Sequence, residues 1–230
     1  MKTQIRLTYW LMTRASKKPF TAAYGVEFYR QFARLSRKEL EKILPQLPEI
    51  GDSIFAFNYG YGPCYFAWYE ALRQLQIEKD VALDWIWKIN ENFVRQFPKP
   101  VLHWFARNMY LGVFRKKAVK AEALGKAGKL PEFDWRVEYV NIDANTFGIN
   151  IYECGMLKIA DKFGYREMFP HICRMDYLFS HYFDNGFTRT GTLADGDNCC
   201  NCVYQFPGLC EWAPEKGFIT QNRTSSFHRS

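Results

Sequence analysis

Cysteines and one aspartate in the C-terminal half are the side chains best suited to chemistry in this sequence. Cys173 and Asp176 lie three residues apart in a segment, 167 to about 184, that is predicted to be one helix, so they share a face. Asp176 is the only central acid of this segment, which is apolar almost all round. A carboxylate in such surroundings is either paired or functionally perturbed. Asp176 therefore either pairs with Arg189 or Arg174 or takes part in catalysis.

Cys154 stands at the beginning of the preceding predicted helix, 153–163. The pKa of a thiol is lowered at a helix N-terminus, and the thiolate is the nucleophilic form of cysteine. A buried cysteine, in contrast, behaves as a small hydrophobic side chain. For any one of these cysteines taken alone, the hydrophobic interpretation is favoured.

The number of cysteines makes metal binding a second kind of chemistry to consider. The seven are Cys64, Cys154, Cys173, Cys199, Cys200, Cys202 and Cys210. The dense run 199–202 lacks the two-residue spacing of a typical zinc pair, and on a strand Cys199 faces away from Cys200. We expect no cofactor. The alternative is zinc or iron held by Cys154, Cys173 and Cys200.

The elements that must position these residues indicate an α+β fold, with a helical N-terminal half packed on a C-terminal antiparallel sheet unit. The second half is expected to run strand, strand, helix, helix, strand, strand, an order that argues against a doubly wound parallel sheet. The predicted segments are, in that order, 135–140, 147–152, 153–163, 167–184, 187–193 and 200–206. Polar turns are expected at 141–145 and 194–198.

The first half is predicted to be helical, because apolar residues recur at helical spacing from Tyr65 to Leu75 and from Ala82 to Phe97. Between residues 51 and 63, closely spaced glycines predict a loop that can approach a ligand, with Asn58 and Tyr61 as candidate substrate-binding residues. We expect one integrated domain with three parts. They are a mainly helical half (1–130), an α+β half with the motif residues (131–212) and a loose tail (213–230).

The composition points to anionic partners and a large aromatic core. The net charge of +7 suits carboxylates, phosphates or nucleic acid. Much of the excess lies between Arg115 and Lys129, but no aromatic side chain falls between Lys116 and Lys129. Nucleic-acid sites interleave such charges with stacking rings, so this stretch is interpreted as a solvated helix face, and nucleic acid is not expected. The aromatic fraction of 18% indicates a packed core, a ligand cavity or the interface of a homo-oligomer.

The absence of two sequence signals predicts the cellular setting. No secretory signal precedes the cysteines, and no segment has the roughly 18 consecutive apolar residues that a membrane span needs. We therefore expect a soluble cytoplasmic protein that binds no membrane and whose cysteines are thiols.

Several C-terminal segments resemble the L-2-amino-thiazoline-4-carboxylic acid hydrolase family. They are YECGMLK at 152–158, PHICRMDY at 170–177, TRTGTLADG at 188–196, and Cys200. Upstream, Gly62 and Pro63 with Tyr69, Ala71 and Leu72 are similar to its helical half. The resemblance spans about 50 to 206. Its strand–helix–strand arrangement also looks like the small-molecule-binding domains of the 4-vinyl-reductase type.

The resemblance implies hydrolysis of a C–N or C–S bond in a small cyclic amidine such as 2-aminothiazoline-4-carboxylate, with N-carbamoyl-cysteine as the product. Such chemistry needs a nucleophile or activated water, an acid, and a cation for the substrate carboxylate. We expect Cys173 or Cys154 to be the nucleophile, with Cys200 nearby. Asp176 would hold the amidinium or act as base, and Arg189 would bind the carboxylate, with Thr192 as a further substrate-binding residue.

The sequence departs from the family pattern after Cys200, where Asn201 and Cys202 stand in place of an acid and an aromatic. This departure suggests a divergent member with another heterocyclic or sulfur-bearing substrate, or with a bound metal. Two alternatives stay open beside the hydrolase. One is a cysteine-ligated metal enzyme that acts on a small sulfur- or nitrogen-containing molecule, and the other is a non-catalytic small-ligand-binding protein.

Overall fold

The computed structural model describes residues 1–210 and divides the chain into two compact units. The first unit comprises Met1–Pro48 and Phe57–Gln96, and the second comprises Glu49–Ala56 and the chain from Phe97 onward. The tail predicted for 213–230 lies outside the described residues. Within residues 1–210, no helix is both long enough and apolar enough to cross a membrane.

The first unit is built from α-helices. Their bounds are Lys2–Ala15 (α1), Lys17–Tyr24 (α2), Val26–Ile43 (α3), Ala56–Gln74 (α4) and Lys79–Val94 (α5), with a 3-10 turn at Leu44–Gln46. Aromatic rings fill the interior: Phe20 stacks on Phe32 at 4.5 Å and on Trp85 at 4.0 Å between ring centroids. The fully buried Trp68 donates its indole N–H to Thr13 Oγ1 at 2.9 Å. The helices predicted from residues 65 and 82 are confirmed.

The loop predicted at 51–63 is wrong over its second half, because α4 begins at Ala56 and contains Gly60, Gly62 and Pro63. Glycine and proline disfavour a helix when they are judged by local propensity. Here the stretch from Tyr61 to Tyr69 is buried throughout. Burial of so many apolar groups outweighs the propensity cost, as is usual for helices in folded proteins.

The second unit combines helices with a four-stranded sheet. Its helices are Lys99–Arg107 (α6), Arg115–Lys126 (α7), Gly155–Phe163 (α8), Phe169–Ile172 (α9) and Met175–Phe183 (α10), with a π-helix at Asn108–Phe114. Its strands are Arg136–Asn141 (β1), Thr146–Glu153 (β2), Gly186–Thr188 (β3) and Cys200–Gln205 (β4). The strands pair in the order β1-β2-β4-β3, and each pair is antiparallel. The predicted α+β class and order of elements are confirmed.

One face of the sheet forms the core of this unit. On β4, Cys200, Cys202 and Tyr204 alternate with more exposed residues, as the period of a strand requires. Phe147 on β2 lies opposite Tyr204 and stacks on it at 5.4 Å. The predicted turn before β2 is fixed by Asp143, whose Oδ1 accepts N–H groups from two residues that follow it, a usual turn device for aspartate.

Two predicted segments are shorter in the structure. The single helix expected over 167–184 is divided into a 3-10 turn at Arg166–Met168, α9 and α10, with a break at Cys173 and Arg174. An apolar run carries no signal for such a break, because it lacks the regular alternation of apolar and polar residues that would mark where one helix ends. The strand expected over 187–193 ends at Thr188, since the following residues form a loop whose N–H groups bond to side chains instead of a neighbouring strand.

Candidate active site

Four chain segments meet at one end of the sheet. Strands β2 and β4 pair with Ile151 opposite Cys200, so Cys154, which directly follows β2, comes to the beginning of β4. Strand β3 is antiparallel to β4 and ends just before Arg189, which directs Arg189 to the same end. Helix α10 packs on β3 and carries Asp176 in its first turn. Antiparallel pairing therefore gathers residues that are far apart in sequence.

Arg189 holds this site together through two hydrogen bonds. Its Nη1 donates to Asp176 Oδ2 at 2.7 Å, and its Nη2 donates to the carbonyl oxygen of Cys173 at 2.6 Å. The Arg189 side chain is 2% exposed, whereas that of Asp176 is 33% exposed. The guanidinium also lies over the rings of Tyr177 and Phe187, at 5.7 and 5.4 Å from their centroids. Asp176 thus has one oxygen fixed by a buried cation and a side chain that solvent still reaches.

Of the two partners considered for Asp176, the structure selects Arg189. Arg174 is buried, and its Nη1 donates to the carbonyl oxygen of Pro170, one turn earlier in the chain. The break between α9 and α10 falls at Arg174 itself. Arg174 therefore contributes to the local backbone structure before α10.

Burial controls the charge state of the site. Burial raises the pKa of Asp176 above its ordinary value, and the positive charge of Arg189 offsets this effect only in part. Burial also raises the pKa of the Cys173 thiol well above its usual value; Arg189 lowers it, while Cys200, Cys154 and Asp176 add to the rise. Both groups are thus shifted toward their neutral forms.

Cys154 lies where an N-terminal thiol was expected, at the N-cap of α8. Of the two interpretations of Cys154, the structure supports the favoured one, since burial raises the pKa of this thiol to about 12, with a smaller contribution from Cys200. The backbone N–H groups of Leu157 and Met156 and the side chain of Trp135 bond to the sulfur and act in the opposite direction. Desolvation of the thiolate outweighs these three hydrogen bonds.

The thiols of Cys154, Cys173 and Cys200 form a cluster in which each pair interacts electrostatically. Cys200 is buried; its sulfur accepts the backbone N–H of Leu193 at 3.2 Å, and its S–H donates to Thr192 Oγ1 at 3.5 Å. Residues far apart in the sequence thus form one group of thiols beside Asp176. Within residues 1–210, no cysteine is in a disulfide.

Thr192 is fully buried and serves the loop after β3. Its hydroxyl oxygen accepts the N–H of Ala194 at 3.3 Å, and its own N–H donates to Asp197 Oδ2 at 2.7 Å. These bonds fix the 3-10 turn Leu193–Asp195 next to Cys200. The role of Thr192 in substrate binding stays a prediction, whereas its support of Cys200 follows from the contacts.

Asn201 and Trp135 were missed as site residues. Asn201 Oδ1 accepts the N–H groups of Thr190 and Gly191, both at 2.9 Å, and thereby shapes the loop beside Arg189. The signal for Asn201 in the sequence is its departure from the family pattern, which has an acid at this position. A side-chain oxygen of either residue type can accept both N–H groups. Trp135 had no such signal, because nothing in the sequence indicates that its side chain bonds to Cys154.

The remaining predictions concern metal ligands and the first unit. In the described part of the chain, no group of three or more His, Cys, Asp or Glu side chains has the arrangement needed to hold a metal ion. Asn58 and Tyr61 lie near the beginning of α4, where Asn58 is exposed and Tyr61 is buried with its ring 5.9 Å from that of Tyr65. Both belong to the first unit, and their contact with substrate stays a prediction.

The chain matches the model of a known protein family. A family model described as L-2-amino-thiazoline-4-carboxylic acid hydrolase matches residues 61–204, which is more than half of the chain. The matched range includes the three clustered thiols together with Asp176 and Arg189. No curated protein matches the chain significantly.

Proposed function

Because the chain belongs to the L-2-amino-thiazoline-4-carboxylic acid hydrolase family, we propose that it opens a small five-membered thiazoline-type ring that carries an amidine and a carboxylate. The observation that carries this proposal is the cluster of Cys154, Cys173 and Cys200 beside the ionisable pair of Asp176 and Arg189. Nucleophilic sulfur next to a carboxylate is a combination that suits attack on an electrophilic amidine carbon.

The chemistry of the ring fixes what the site has to do. In 2-aminothiazoline-4-carboxylate, the amidine carbon is bonded to the ring sulfur, the ring nitrogen and an amino group. To give N-carbamoyl-cysteine, this carbon gains the oxygen of water, its bond to the ring sulfur breaks, and the sulfur leaves as a thiol with a proton. Breaking the bond to the ring nitrogen would leave the carbamoyl group on sulfur instead. The product therefore identifies which bond is cleaved.

Cys173 is our candidate nucleophile. Its thiol interacts electrostatically with both Asp176 and Arg189. Asp176 has its pKa raised by burial, which makes it a stronger base than an ordinary aspartate and lets it take the thiol proton. Arg189 lowers the pKa of Cys173 and so stabilises the thiolate that results. The thiolate bonds to the amidine carbon while the ring C–S bond breaks, and water then displaces the Cys173 sulfur from that carbon, which restores the enzyme thiol. If Asp176 instead stays a carboxylate, it can hold the amidinium of the substrate.

Cys154 and Cys200 complete the proposed site. The N–H groups that bond to Cys154 would stabilise negative charge on its sulfur, so Cys154 is the second candidate for the nucleophile. Cys200 is held by Leu193 and Thr192 and interacts electrostatically with the other two thiols. Both terminal nitrogens of Arg189 already bond within the protein, so direct binding of the substrate carboxylate by Arg189 requires that one of these bonds is exchanged.

The proposal is tested with purified protein and 2-aminothiazoline-4-carboxylate. The released thiol is measured over time, and the product is identified by mass spectrometry and NMR. We expect C173S to lower kcat by about 10³-fold or more if Cys173 is the nucleophile, with KM little changed. C154S tests the second candidate in the same way.

The matched control is C199S. Cys199 directly precedes Cys200 and is only partly buried, but no role in the site is assigned to it. Turnover that survives in C154S, C173S and C200S to the extent seen in C199S would exclude these three thiols as nucleophiles. Binding of the substrate without release of thiol by the wild-type protein would favour the non-catalytic ligand-binding alternative.

The thiols, Asp176 and Arg189 carry the proposed reaction without a metal. The alternative of zinc or iron held by the same cysteines makes a separate prediction. Elemental analysis of protein purified without a chelator would then find one metal ion per chain, and C154S, C173S and C200S would each lose it.

A further inference from the structure

A groove among α1, α2 and α3 of the first unit concentrates positive charge. It has a volume of about 770 Å³, which lies within the usual range for small-molecule sites. Ten residues line it, and none of them is acidic. The five cations among them are Arg14, Lys17, Lys18, Arg34 and Arg37. The groove therefore has the charge of a site for an anion.

These cations differ from the basic residues of α7 because they form no ion pair within residues 1–210. On α7, Lys117 and Lys120 bind Asp52 at 2.7 and 2.9 Å, and Lys126 binds Glu122. None of the five groove cations forms an ion pair with any residue between 1 and 210. Glu41, the acid that feels the charge of Arg37, is itself bound by Arg6 at 2.6 Å. No ion pair within residues 1–210 therefore neutralises the positive charge of the groove.

The walls of the groove are held in place before any ligand arrives. Tyr9 OH lies 2.7 Å from Ser36 Oγ, and Tyr29 OH donates to the carbonyl oxygen of Thr13 at 3.2 Å. The hydroxyl of Thr13 accepts the buried indole N–H of Trp68. A preformed wall lowers the entropy cost of binding, because fewer side chains have to be ordered.

One wall also presents a flat ring. Trp10 lines the groove and is 51% exposed, which is unusual for the largest apolar side chain. Arg14 lies 5.3 Å from the centroid of its indole. An aromatic face next to cations can stack on a planar group whose charged end pairs with those cations.

From this geometry we propose that the groove binds a small polyanion that bears a planar ring, the chemistry of a nucleoside di- or triphosphate. Arg14, Lys17 and Lys18 come from the α1–α2 side, and Arg34 and Arg37 come from α3, so the charges line two sides of one groove. A compact chain of phosphates can contact both sides at once. A flat bilayer cannot enter such a groove to reach Tyr9 and Tyr29, which also line it.

Calorimetric titration of the full chain tests the proposal, at about 0.15 M salt so that weak surface attraction is screened. The probes are adenosine triphosphate, tripolyphosphate and adenosine. The variant R34Q/R37Q removes two groove charges, and the control R30Q/K38Q removes two charges from the same helix outside the groove lining. W10A removes the exposed ring.

We expect adenosine triphosphate to bind with one site per chain. R34Q/R37Q should weaken this binding about tenfold or more, because hydrogen bonds to charged groups are lost, whereas R30Q/K38Q should change it less than about twofold. W10A should weaken binding of the nucleotide while leaving that of tripolyphosphate unchanged.

Three results would overturn the proposal. The first is that adenosine triphosphate does not bind at about 1 mM. The second is that R34Q/R37Q and R30Q/K38Q lose equal amounts of affinity for it. The third is that adenosine binds as tightly as its triphosphate. Vesicles that contain phosphatidylserine serve as a further probe. If they bind in a manner that depends on Arg34 and Arg37 while the nucleotide does not bind, the occupant is a lipid surface and the proposal fails. Each result is independent of hydrolase activity, because the assay measures binding alone.

Discussion

At the scale of single residues, Arg189 both sets the charge of the site and holds its backbone in place. One guanidinium neutralises Asp176, bonds the carbonyl oxygen of Cys173 at the break before α10, and lies over two aromatic rings. A buried cation of this kind is costly to desolvate and is tolerated only because its partners are in place. Loss of Arg189 should therefore affect stability as well as turnover.

The variant R189Q should lower the free energy of unfolding by about 2 kcal/mol, a value below that for a fully buried pair because solvent still reaches Asp176. R189K keeps the charge but cannot make both hydrogen bonds, so an intermediate loss is expected. Urea unfolding measures these changes. R166Q is the control, since it removes a pair with Asp161 in which both side chains are about half exposed. Equal losses in R166Q and R189Q would contradict the assigned role.

The dependence of kcat/KM on pH should reflect the two groups that burial shifts. Asp176 acts as a carboxylate, so the rate should fall as the pH drops through its pKa, at a pH above the ordinary aspartate value of about 3.9. Cys173 starts as a thiol whose proton Asp176 takes, so the rate should level off above the pKa of Asp176, without waiting for the raised pKa of the buried thiol. D176N should remove the fall on the acid side. A rate that keeps rising above about pH 8.5 would mean that the thiol ionises to solvent and that Asp176 is not its base.

At the scale of elements, the site depends on how closely α8 approaches the segment before β1. Gly155, the first residue of α8, has no room for a side chain. A Cβ atom there would overlap the carbonyl oxygen of Phe133 and lie 2.7 Å from the ring of Trp135. Because Cys154 directly precedes this glycine, the close approach also fixes the position of its thiol.

The variant G155A should lower the free energy of unfolding by about 2–4 kcal/mol, because the backbone oxygen and the ring cannot both move away. It should also lower turnover in the fraction that remains folded, since Cys154 shifts with the helix. Thermal unfolding and thiol release measure the two effects. G112A is the matched control, because a Cβ atom at Gly112 meets nothing within 4 Å. A stable and fully active G155A would mean that α8 can shift freely.

The elements of the second unit could be predicted where burial alternates along the chain. The period of two along the strand predicted at 200–206 sets Cys200 on the face opposite Cys199, and in β4 Cys200 and Cys202 share the buried face. The break before Arg174 could not be predicted, because an apolar segment has no period that reveals it. Likewise, local propensity gave no indication that Gly60 and Pro63 lie inside α4, whose formation depends on tertiary burial.

The candidate site could be predicted by residue type but not by environment. Cys154, Cys173 and Cys200 were singled out from the sequence, and the structure brings their thiols together. For Cys154 the structure supports the favoured interpretation of a buried thiol, although a sequence shows the helix N-terminus and not the depth of burial that raises its pKa. Asn201 was noticed only as a departure from the family, since its two backbone partners lie across a loop.

At the scale of the whole molecule, the family match extends over parts of both units. It begins at residue 61 in the first unit and ends at residue 204 in the second. The thiols and the ion pair all belong to the second unit. The substrate-binding prediction for Asn58 and Tyr61 is therefore a test of whether the first unit contributes to catalysis.

The variant N58A should raise KM about three- to tenfold with little change in kcat, if the exposed amide contacts the substrate. Its free energy of unfolding should change by less than about 0.5 kcal/mol, since the side chain is on the surface. Steady-state kinetics and urea unfolding measure the two quantities. N92A, in α5 of the same unit, is the control. Identical kinetics in N58A and N92A would confine the site to the second unit.

The distribution of cysteines provides an independent way to follow how each unit opens. Cys64 is the only cysteine of the first unit and is inaccessible to solvent, whereas Cys202 is 2% exposed in the second. An alkylating reagent can reach either sulfur only after local or global unfolding of the backbone around it. Pulsed alkylation followed by peptide mass mapping would therefore record two separate opening rates in one unmodified protein. If the two rates coincide under all conditions, the units unfold as one cooperative body. If they diverge, one unit can open while the other stays intact.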